Sequence, residues 1–166
     1  MNYQDLDSFT RAYIECALWS SNGPKFGECP CCGRMALLCR LPEPEHEQEP
    51  MCDATGCGVH EIPNEDALDA NYKPEDLAPE ALARMSGDCA KFQTDNASDL
   101  AAFSPSDSQN GQDFWLTRNG HGAGFWDRQR EPKFEELAER LTDASHAFGE
   151  CDIYPGDDGK LYVSPA

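Results

Sequence analysis

Four cysteines in two pairs carry the clearest chemistry in the chain. In Cys29-Pro30-Cys31-Cys32-Gly33, Cys29 and Cys32 stand two residues apart and can share one ion, while Gly33 lets the backbone turn its amides toward the sulfurs. Cys52 and Cys57 form the second pair, with a gap of four residues, and nineteen residues separate Cys32 from Cys52. A strand, a turn and a return fit that interval, as in a zinc ribbon. Four thiolates complete a tetrahedron, so the expected cofactor is one structural Zn2+ with no open coordination position. Cys31, Cys39 and His60 are nearby substitutes as ligands, although Cys31 adjoins Cys32 and fits the same tetrahedron poorly. Cys16, Cys89 and Cys151 read as core thiols.

The second concentration of special residues runs from Asp113 to Arg128, with the sequence DFWLTRNGHGAGFWDR. Arg118, His121 and Asp127 could converge across a hairpin, His121 as an accessible base between glycines and Arg118 as an anion holder. The glycines lead into a predicted strand and not a helix, so the helix-terminus logic of phosphate binding is missing. No Ser or Cys stands with an evident base. The favoured expectation is structural: a glycine turn, aromatics in the core, and Arg118 paired with Asp127.

The segment resembles a group of small, uncharacterised proteins from bacteriophages and mobile elements that share DFWLTRNGHGAGFWDR. The resemblance extends to Tyr13–Ser21, to Asn71–Glu80, and to the closing stretches Gly149–Tyr154 and Asp157–Tyr162. That covers most of the chain outside residues 24–62, and the cysteine module departs from those relatives as an insertion would. The resemblance implies a phage or mobile-element setting and no established activity.

Charge sets the third expectation. The 166 residues hold 31 Asp and Glu against 13 Lys and Arg, a formal net charge of −18. Residues 43–80 carry twelve of the carboxylates, among them Glu43, Glu45, Glu47, Glu49, Glu65, Asp66, Asp69, Glu75 and Asp76, against Lys73 alone. Such a chain repels nucleic acid and anionic membranes, and no apolar run is long enough to span a bilayer. Met1–Asp7 lacks a basic and apolar leader, so a cytoplasmic location in a bacterial host is expected. The belt either solvates the surface or imitates a polyanion and occupies a host protein complex that binds nucleic acid.

The positioning elements are coarse but legible. Asp5 or Asp7 caps a first helix running to about Trp19, with Leu6, Phe9, Tyr13 and Ala17 on one stripe. Pro74 and Pro79 suit helix starts, the second opening a long helix to about Phe103 with a break near Thr94–Ser98. Ser104–Gln112 reads as a loop, Phe114–Arg118 and Phe125-Trp126 as strands, and Pro132 opens a last helix. Cys151–Tyr154 and Lys160–Val163 form a hairpin around Gly156-Asp157-Asp158-Gly159. Trp19, Trp115, Trp126 and eight Phe supply core volume.

The expected fold is α+β: a small antiparallel sheet packed against helices. Residues 1–26 and 63–166 form the core domain, and residues 27–62 an inserted zinc ribbon. The expected function is a non-enzymatic acidic inhibitor of a host defence complex, of anti-CRISPR or anti-restriction type, with nucleic-acid mimicry as its expected mode. Two alternatives stand beside it: a small enzyme using His121 and Arg118 on a nucleotide or nucleic acid, and a zinc-ribbon adaptor to a host protein such as RNA polymerase.

Overall fold

A computed structural model describes residues 1–23, 66–103, 106–128 and 132–164, together with the backbones of short strands at 25–28, 35–40 and 62–63. Helices dominate the described residues: α1 (Ser8–Ser20), α2 (Pro79–Asp95), α3 (Ala97–Phe103), α4 (Asp107–Arg118) and α5 (Pro132–His146). The strands are β1 (Asn22–Gly23), β2 (Lys25–Glu28), β3 (Met35–Arg40), β4 (Ile62–Pro63), β5 (Asp66–Ala67), β6 (Ile153–Pro155) and β7 (Leu161–Val163). Helices with a small two-stranded antiparallel sheet make the chain α+β.

Helix α1 starts where its cap dictates. Asp7 accepts hydrogen bonds from the Thr10 backbone N–H at 2.8 Å and from the Thr10 hydroxyl at 2.9 Å, satisfying a donor the first turn leaves open. The helix then buries Phe9, Tyr13, Cys16 and Ala17, at the spacing of one helical face. The expected break in the long helix is found at Asn96, whose side-chain amide turns back to the Phe92 carbonyl and separates α2 from α3.

Helix α4 corrects the sequence expectation. Phe114–Arg118 is helical and not a strand, and most of the expected loop belongs to the same helix. Ser106 caps it, accepting from the Gln109 N–H at 3.3 Å. Burial at Asn110, Asp113, Phe114, Thr117 and Arg118 follows the 3.6-residue period. Intrinsic preference argued otherwise, because Gly111, Asn110 and the aromatics are poor helix formers. Packing overrides it: α4 lies directly on α1, and a Cβ at Gly111 would sit 2.1 Å from the Phe9 carbonyl oxygen. The second expected strand, Phe125-Trp126, is a 3-10 turn spanning Phe125–Arg128.

The core joins these elements through aromatic rings. Phe92 of α2 stacks on Phe114 of α4 with centroids 3.9 Å apart, and Tyr13 meets Trp115 edge-on at 5.2 Å. Phe125 is fully buried beside Phe92. Of the tryptophans expected in the core, Trp115 alone is there; Trp19 and Trp126 are exposed. Cys16, Cys89 and Cys151 are buried free thiols.

The hairpin β6–β7 turns at Gly156–Gly159 with Tyr154 opposite Tyr162. It is tied to the helices where the Ala78 N–H donates to the Leu161 carbonyl at 2.8 Å, and where Arg84 reaches the Ser164 carbonyl. The buried cluster draws on residues from Tyr3 to Leu18 and from Leu68 to Leu161.

Candidate functional site

Helix α4 carries Arg118 into the interior. Arg118 is 2% exposed, and its guanidinium uses four of its five N–H donors. Its Nε donates to the Gly149 carbonyl at 2.7 Å and Nη2 to the Phe148 carbonyl at 3.0 Å. Its Nη1 donates to the Tyr13 hydroxyl at 2.7 Å and to Asp88 Oδ2 at 2.9 Å. The rings of Phe114 and Phe148 lie 5.8 Å from the guanidinium carbon. A side chain so enclosed joins α1, α2, α4 and the end of α5; it is not placed to hold an anionic substrate.

The expected partner of Arg118, Asp127, lies elsewhere. It is exposed, and Asp88 takes its place. The acidic and basic ends of the segment pair differently too: Arg128 Nε approaches Asp113 Oδ2 at 2.6 Å. Burial pushes the Asp113 carboxyl above its ordinary range, and the Arg128 charge and the Gln109 amide offset only part of that. His121 is half-buried on the turn after α4, its backbone N–H donating to the Leu116 carbonyl at 2.9 Å. The structure therefore does not bring Arg118, His121 and Asp127 to one centre.

The glycine run has a geometric cause. Gly120 has φ 64° and Gly124 φ 147°, conformations that side-chain-bearing residues rarely adopt. At Gly124 a Cβ would also meet Thr117 Oγ1 at 2.2 Å. The same Thr117 hydroxyl accepts from the Phe125 N–H at 2.9 Å, which seats Phe125 in the core.

Of the acidic belt, Asp69, Glu75 and Glu80 are exposed on the described surface. The Glu75 carboxylate accepts from the Gln4 side-chain amide at 2.9 Å. Asp76 has a structural task, accepting from the Lys73 N–H at 2.8 Å to close the 3-10 turn at Pro74–Asp76. Glu43, Glu45, Glu47, Glu49, Glu65 and the Asp66 side chain lie outside the described residues. Exposed Glu15, on α1, lines one groove with Asp69; Tyr3 donates to it at 2.5 Å. Sequence reasoning missed Glu15 because it sits in a helix and outside the acidic run.

Cys29, Cys32, Cys52 and Cys57, with Cys31 and His60, also lie outside the described residues, as does the Cys39 side chain. Among the described residues no group of three or more His, Cys, Asp or Glu is placed to hold a metal, and no helix is long and apolar enough to cross a membrane. No protein-family model, curated protein or solved structure matches the chain.

Proposed function

We propose that this chain is a non-enzymatic acidic inhibitor, of phage or mobile-element origin, that binds a host defence complex of the anti-CRISPR or anti-restriction kind. It presents carboxylates where that complex receives nucleic-acid phosphates. The observation that carries this reading is the concentration of charge: twelve carboxylates against one lysine over residues 43–80, of which Asp69, Glu75 and Glu80 are exposed on the described surface. Such a field speeds encounter with a basic cleft and excludes competing polyanions. The engagement of Arg118 within the core argues against the enzyme alternative, which needs that guanidinium free.

Within this reading Cys29, Cys32, Cys52 and Cys57 hold one structural zinc. The pairing of thiols supports it, as does the strand order. Glu28 pairs with Met35, so the first cysteine pair falls in the connection from β2 to β3, and β4 returns antiparallel to β3. The metal would supply folding free energy to residues 27–62 and no reaction chemistry.

Affinity capture from host lysate, followed by addition of DNA or RNA to the captured complex, tests the proposal. The expected result is a nucleic-acid-binding complex that nucleic acid displaces. Capture of RNA polymerase with no displacement would favour the adaptor alternative, and a partner that binds nucleic acid and this chain together would overturn mimicry.

A further inference from the structure

Trp19 is 61% exposed, and it does not stand on open surface. It lines a groove of about 420 Å³ between α1, α4 and the 3-10 turn Leu68–Ala70. Helical spacing puts Glu15 one turn before Trp19 on the same face of α1. Gln109 and Gln112 face the groove from one side of α4, and Asp69 closes it from the turn. Arg128 lies at the groove, but Asp113 holds it at 2.6 Å and answers its charge.

We propose that this groove receives an arginine side chain from the basic partner protein; the inference rests on the inhibitor reading for the partner's charge. The chemistry of the lining selects that occupant. A planar guanidinium stacks on an indole face better than a compact ammonium does, and it offers several donors in one plane. The second Glu15 carboxylate oxygen, the Asp69 carboxylate and the Gln109 amide oxygen are acceptors for those donors, while Tyr3 already donates to Glu15 Oε1 and Gln109 to the Gln112 amide oxygen. The same carboxylates repel phosphate, so the groove does not take a nucleotide. A volume of this size holds one long side chain with its neighbouring backbone. Where the belt attracts the partner at long range, the groove gives it one specific anchor.

A blocked tetra-arginine peptide, titrated against the whole protein with indole N–H signals followed by NMR, tests this. The Trp19 indole signal is expected to shift saturably while the Trp126 signal stays in place. Trp19→Ala, and separately Glu15→Gln with Asp69→Asn, should each weaken binding about tenfold with the melting temperature unchanged. Glu135→Gln with Glu139→Gln, a charge-matched change on α5, should alter it less than about twofold. A blocked tetra-lysine peptide should bind several-fold more weakly. Equal binding by wild type and Trp19→Ala would mean diffuse attraction and would overturn the groove assignment. The belt reading falls by a different result, a target complex that ignores salt and belt charge.

Discussion

Replacing Arg118 with Met would show whether the buried guanidinium is structural. Met fills most of the volume and removes the charge and the donors. Four groups then lose their partner: the Asp88 carboxylate, the Tyr13 hydroxyl and the carbonyls of Phe148 and Gly149. Breaking a buried ion pair from one side costs about 3–5 kcal/mol. The Asp88 side chain keeps a quarter of its surface in water, which places its share at the low end. Tyr13 has no such access, being fully buried. A total loss of about 4 kcal/mol follows, with each stranded buried acceptor adding to the charge effect. For a chain of this size that lowers the melting temperature by about 8–16 °C. Urea unfolding followed by circular dichroism measures the loss directly. Asp88→Asn keeps an acceptor oxygen but leaves the buried guanidinium without its counter-charge, so it should cost about 3 kcal/mol as well. A loss below about 1 kcal/mol in Arg118→Met would refute the keystone role, and abolished activity with unchanged stability would transfer Arg118 to a substrate.

Three further outcomes are expected. Protein purified without chelator should carry about one zinc per chain, and Cys29→Ser should release it while the main unfolding transition survives, because the buried cluster draws on residues up to Leu18 and from Leu68 onward; less than half an equivalent of metal in the wild type would contradict this. Gly111→Ala should destabilise by about 3 kcal/mol, since its Cβ meets backbone and not a movable side chain, and a neutral substitution would mean that α1 and α4 separate at little cost. Asp113→Asn should change the pH dependence: burial raises the folded-state pKa above the ordinary 3.8, so the wild type loses stability as pH rises from that value through the folded one. The Asn variant lacks this loss, and a stability difference that stays constant between about pH 4 and 7 would exclude it.

How much was legible in the sequence depended on whether local signals agreed with packing. Asp7 with Thr10, the Asn96 break and the Gly156–Gly159 turn are set within a few residues, and each was readable. Helix α4 was not, because its first half is polar with a central glycine and its second half is aromatic. The deciding contact, Gly111 against the Phe9 carbonyl, lies across a hundred residues. The partner of Arg118 was misread for a similar reason. Asp127 is near in sequence, but Asp88 on α2 is near in space. The exposure of Trp19 was not available from its helical angle, since it lies about 20° around the helix from buried Ala12 and about 60° from buried Cys16. The groove it lines needed α4 to be known as a helix.

The most direct test of the central claim is the association rate of the chain with its captured target, measured across a salt series. The account predicts a steep fall in rate as salt screens the carboxylates beyond about 8 Å at physiological ionic strength. Reversing Glu43, Glu47 and Glu65, belt residues outside the groove, to Lys should slow association at least about tenfold, with the melting temperature unchanged. The same reversal at Glu135, Glu139 and Asp143, exposed on α5, should do far less. A rate that is insensitive to salt and to the belt reversal would contradict the account and place the binding surface elsewhere.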